Sequence, residues 1–134
     1  MVSAPTTEPT GFRAALRQLV DQVPGVLGVV FCDEEGEAVD LCVASGSRAG
    51  SDDEYDLRVA GATWAIAVDL LRRNVEAKGP GATGLLVAMC GRYTYFVAPV
   101  GESYFLAIWA RADVSLGKAL HAAQQLVARL LLEV

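Results

Sequence analysis

The sequence predicts an α+β protein, an α/β/α sandwich in which helices cover both faces of a five-stranded antiparallel sheet, in the order α-β-β-α-β-β-β-α. Three observations carry that expectation. Apolar residues recur at helical spacing in three segments, one near each end and one in the middle. Five β-rich runs lie between them, joined by turns so short that neighbouring strands pair antiparallel. A sheet with two apolar faces then needs the outer helices on one face and the middle helix on the other.

In chain order, "TGFRAALRQLVDQV" opens the first helix. Phe12, Leu16, Leu19, Val20 and Val23 share one face, Thr10 is placed to cap it, and Pro24-Gly25 ends it. "VLGVVFC" and "EAVDLCV" are strands around Asp33-Glu34-Glu35-Gly36, a hairpin turn in which Gly36 can take positive φ. The first of these strands is almost wholly apolar, as expected of one covered on both faces. "ASGSRAGSDDE" reads as a loop whose Ser51, Asp52 or Asp53 caps the next helix.

That next helix, "DLRVAGATWAIAVDLLRRNV", is apolar on two sides. Tyr55, Val59, Ala62, Ile66 and Leu70 form one stripe; Leu57, Trp64, Val68, Leu71 and Val75 form another, roughly opposite, with charges in the seams. A surface helix normally has a single apolar stripe. Small Ala62 favours close approach to the sheet, which assigns the Tyr55 stripe inward. It leaves Leu57, Trp64, Val68, Leu71 and Val75 for a partner, with Trp64 as the anchor.

After the helix ends near Lys78-Gly79, three runs form a meander: Thr83 to Met89, Tyr93 to Val100 and Tyr104 to Ala110, with turns at Gly91 and Gly101. The last helix carries Leu116, Leu120, Ala123, Val127, Leu130 and Val134 on one face and takes Asp113 or Ser115 as its cap. "TGLLVAM" holds no charge, no Pro and no bulge signal, although an edge strand is normally blunted by such devices. Leu85, Leu86 and Val87 therefore join the expected seam. Two copies paired edge to edge about a two-fold axis would make a ten-stranded sheet with the middle helices side by side.

The 134 residues, 53% hydrophobic and 20% charged, suit one globular domain over 11–134 behind a disordered arm, 1–10. The apolar runs are too short to span a membrane, and "MVSAPTTEPTG" has neither the basic nor the apolar region of a signal peptide, so the expected compartment is the cytoplasm. The three cysteines, Cys32, Cys42 and Cys90, form no CxxC and read as reduced small hydrophobes. A net charge of −5 argues against nucleic acid. Nine acids between Asp33 and Asp56 face only Arg48, and Asp52, Asp53 and Glu54 form an acidic loop able to steer a basic partner.

No motif for catalysis survives inspection. "GPGATG" follows a helix and opens a strand, the reverse of the dinucleotide-binding context, and Pro80 removes an amide donor. There is no P-loop, and His121 stands without partners in sequence. We therefore expect no catalytic residue, no cofactor and no metal.

The order of elements, the "DEEG" turn, the "VGESYFLAIWA" hairpin and the "ADVSLGKAL" helix start resemble the roadblock family of dynein light-chain type, over roughly Phe12 to Leu132. The resemblance implies a profilin-like sandwich that dimerises through the middle helix and the following edge strand. It also implies a non-catalytic homodimer that regulates or scaffolds a small Ras-like GTPase in bacterial polarity or motility, as a GTPase activator or co-regulator. Two alternatives stand beside it: an adaptor that binds another roadblock protein or a response-regulator-like protein, and a small-ligand sensory domain.

Overall fold

The computed structural model of the chain describes residues 11–44, 51–79 and 84–134. The elements follow in the expected order: α1 (Gly11–Gln22), β1 (Val26–Asp33), β2 (Ala38–Val43), α2 (Ser51–Glu76), β3 (Leu86–Cys90), β4 (Tyr93–Val100), β5 (Tyr104–Arg111) and α3 (Leu116–Leu131). The five strands form one antiparallel sheet in the order β2-β1-β5-β4-β3. The expected arm at 1–10 with its Thr10 cap, most of the Ala44–Asp53 loop and most of "GPGATG" lie outside the described residues. Thr83, the expected start of β3, lies there too; Gly84 and Leu85 precede a strand that begins at Leu86.

Local chemistry accounts for the turns. In the β1–β2 hairpin the Asp33 carboxylate accepts hydrogen bonds from the backbone N–H groups of Glu35 and Glu37, both at 3.0 Å. Gly36 takes φ +88, the left-handed conformation that glycine adopts without steric cost. At the start of α3 the Ser115 hydroxyl accepts from the Lys118 N–H, which satisfies one orphan donor of the first turn.

The sheet separates two cores. On one face α1 and α3 pack Leu16, Leu19, Val20, Leu126 and Leu130 against Val29, Phe31, Phe96 and Ile108. On the other, α2 packs against Val30, Cys32, Leu41, Val97, Phe105 and Ala107. β1 supplies both cores, in keeping with its continuous apolar run. α3 sits rotated from its expected face. Ala119, Ala122, Ala123, Leu126 and Leu130 are buried, Leu120 and Val127 are half-buried, and Leu116 and Val134 are exposed. The alanines let the helix backbone come close to its neighbours, and the larger side chains fill the flanks.

The orientation of α2 reverses the expectation. Leu57 and Val68 are each 1% exposed, whereas Ile66 is 73% and Leu70 54% exposed; Tyr55 and Val59 are exposed as well. The reason lies at Gly61. A Cβ placed there would stand 2.6 Å from the Cys32 sulfur, so the helix meets β1 along a line only glycine permits. Leu57 fits over Gly28 in the same way, with a Cβ at Gly28 only 3.0 Å from Leu57 Cδ2. The face containing Gly61 is the face of Leu57, Trp64 and Val68, and it must turn inward.

Candidate interaction face

Two uncovered surfaces result. The first is the outward stripe of α2, Tyr55, Val59, Ile66 and Leu70, which lies opposite the buried face. The second is β3, which among the described residues pairs only with β4 and has no neighbour on its other side. Its five register pairs run without a bulge, from Leu86↔Val97 to Cys90↔Tyr93. Val87 and Met89 are exposed on it.

The other edge of the sheet is built differently. β2 carries a register shift against β1 between Phe31 and Cys32, and its Asp40 points inward. The Asp40 carboxylate accepts hydrogen bonds from Arg13 Nε at 2.8 Å and Arg13 Nη2 at 2.6 Å, which ties β2 to α1. The same contact raises the Arg13 pKa, first through the hydrogen bond and then through the charge of Asp40. A bulge and an inward charge are the devices that stop strand addition. β2 has both, and β3 has neither.

The residues expected at a partner interface are therefore divided. Leu57 and Val68 are core residues. Leu71 and Val75 are half-buried beside Gly84, and Leu85 and Leu86 are half-buried against the two cores. Val87 is exposed on the edge strand, as expected. Trp64 is half-buried and packs its ring on Tyr95 at 5.3 Å. The acidic group is also divided: Asp52 and Asp53 belong to the first turn of α2, Asp53 is buried, and Glu54 is exposed; the side chain of Asp52 lies outside the described residues. Sequence reasoning assigned Tyr55, Val59, Ile66 and Leu70 inward. The signal for the opposite was Gly61, a glycine inside a helix where alanine is favoured by roughly 1 kcal/mol.

Beside α2, over β4 and β5, runs a groove of about 400 Å³. Trp64, Tyr93, Tyr95 and Trp109 form its aromatic walls, and Asp56 and Thr63 line it from the helix. Tyr93 packs edge-on against Trp109 at 5.5 Å. Burial pushes the Tyr95 phenol up, and the charges of Cys90, Tyr93 and Asp56 add to that shift. Among the described residues no group of three His, Cys, Asp or Glu is placed to hold a metal ion, and His121 is exposed on α3. No helix among the described residues is long and apolar enough to cross a membrane.

A five-stranded sheet of this order, with two helices on one face and one on the other, is the fold of the roadblock/LC7 proteins, and the resemblance read from the element order holds in three dimensions. The chain superposes on the gliding protein MglB from Thermus thermophilus with a TM-score of 0.75 at 14% identity, over 98% of this chain and 91% of that one. It superposes on a roadblock/LC7 domain from Streptomyces avermitilis with a TM-score of 0.71 at 18% identity, over 90% and 97%. A structure of MglB with a tetrameric arrangement gives 0.74 at 14% identity, over 92% and 90%. No protein-family model and no curated protein matches the sequence.

Proposed function

We propose that this chain is a non-catalytic, self-associating interaction module that serves a small Ras-like GTPase switch in the cytoplasm. The observation that carries the self-association is the contrast between the two sheet edges: β2 is defended and β3 is open, next to a helix with an uncovered apolar stripe. Antiparallel pairing of two β3 edges about a two-fold axis makes a ten-stranded sheet and brings the two α2 helices toward each other. Leu70, exposed on the C-terminal half of the stripe, is assigned to the contact between helices. Tyr55 and Ile66 point further outward and remain for a third protein.

The GTPase part of the reading rests on the roadblock resemblance, and the shared fold of a gliding protein supports it. Two of the three arginines on α2 already have partners. Arg72 Nη2 donates to the backbone carbonyls of Gly101 and Tyr104, and Arg73 pairs with Asp69 at 2.7 Å. A stimulating role therefore works best by ordering the GTPase's own catalytic residues, without Arg72 or Arg73 as the arginine supplied.

Light scattering on a sizing column tests the first part. The expected mass is about twice the 14.2 kDa chain, and Leu70→Asp should reduce it to one chain with an unchanged circular dichroism spectrum. A monomer at every concentration would overturn the self-association. Hydrolysis of GTP by a Ras-like GTPase, with the dimer and with Leu70→Asp added, tests the second part. A rate moved by neither leaves an adaptor for another roadblock protein as the reading.

A further inference from the structure

We propose that the groove between α2 and the surface of β4 and β5 binds a small organic cation of the alkylammonium class, held by the aromatic walls of Trp64, Tyr93, Tyr95 and Trp109 and by the carboxylate of Asp56. Both tryptophans of the chain and two of its four tyrosines line this one groove. None of the four is fully buried; each is half-buried. They stand as two contacting pairs, Trp64 with Tyr95 and Tyr93 with Trp109. Aromatic faces carry negative quadrupole charge, and a cation within about 6 Å of several rings is attracted to all of them.

The electrostatics of the walls point the same way. Among the described residues Asp56 is the single charged one lining the groove, and no described Lys, Arg or His lines it. An anion meets a carboxylate there, and a neutral apolar ligand leaves that carboxylate unused. A cation uses both the rings and the charge. At about 400 Å³ the groove lies within the range of small-molecule sites, roughly 300–1,000 Å³.

The inference does not depend on the GTPase reading, and its test separates the two. Choline is titrated into the full chain and followed by tryptophan fluorescence and calorimetry. Its neutral isostere 3,3-dimethyl-1-butanol, which has the same shape without the charge, is titrated in parallel. Saturable quenching by choline, with the isostere about tenfold weaker, is the expected result. Asp56→Asn, at an exposed position, should weaken choline several-fold and leave the isostere unchanged. Tyr95→Leu should weaken choline as well; if that variant fails to fold by circular dichroism, the Asp56 variant and the isostere still decide. Equal binding of choline and the isostere would overturn the proposal and define a plain apolar groove. Absence of saturable binding would overturn it too. Light scattering on the same samples reports self-association independently of the cation.

Discussion

Gly61 governs how α2 sits. Glycine inside a helix costs about 1 kcal/mol relative to alanine, so on propensity alone Gly61→Ala should stabilise the chain. Tertiary contact decides otherwise, because the new methyl would stand 2.6 Å from the sulfur of Cys32 in the closed core between α2 and β1. Gly61→Ala is expected to destabilise by about 1–3 kcal/mol in urea denaturation, and Cys32→Ala in the same chain should recover most of the loss. The cysteines give a second test at this scale. Burial pushes the Cys32 thiol up to about 12, whereas Cys90 is exposed at the end of β3. In the native state one thiol should react with a thiol reagent at neutral pH, and Cys90→Ser should abolish that reaction. The alkaline dependence follows from Cys32. Its folded-state pKa lies above the unfolded value, so the contribution is complete below the ordinary thiol range and is lost as pH rises from that range through the folded value of about 12. The thermal midpoint should fall from about pH 9 upward, and Cys32→Ala should flatten that fall.

Among the elements, the two edge strands differ most in what they permit. β2 joins α1 through Arg13 and Asp40 and carries a bulge; β3 presents a straight, uncharged row of backbone groups beside Val87 and Met89. Placing a charge on β3 copies the defence of β2. Val87→Lys is expected to halve the solution mass while changing stability by less than about 1 kcal/mol, since the residue is exposed in the single chain. A mass unchanged by this variant would move the contact away from β3. Much at this scale was legible beforehand. The hairpin at Asp33–Gly36, the meander turns at Gly91 and Gly101 and the open character of β3 follow from residue types with a local conformational reason. The rotation of α3 did not, because alternative faces of an alanine- and leucine-rich helix differ little in apolarity. Close packing selects between them on side-chain volume.

For the whole molecule, a five-stranded sheet with one helix on one face is incomplete in a particular way. α2 packs over β1, β2, β5 and β4, and beyond it lie the aromatic groove and then the open edge. Pairing two sheets at β3 extends this face into a single surface bearing two helices and two grooves. The paired assembly is expected to withstand high salt, since the residues assigned to the contact, Leu70, Val87 and Met89, are apolar and such contacts are not screened. A mass that falls to one chain as salt is raised would place charged groups at the seam instead.

Periodicity and turn chemistry were enough to settle the number, order and type of the elements, the antiparallel meander and the layering of the helices, because each depends on neighbours in sequence. They also showed that α2 has two apolar stripes. Which stripe turns inward was left to the tertiary structure, because it depends on what stands across from the helix: Cys32 opposite Gly61, and Gly28 opposite Leu57. The aromatic groove arises in the same way, from Trp64 on α2, Tyr93 and Tyr95 on β4 and Trp109 on β5, residues that come together only when the helix is laid across the sheet. Local sequence encodes a stripe, and packing against a distant strand decides its use.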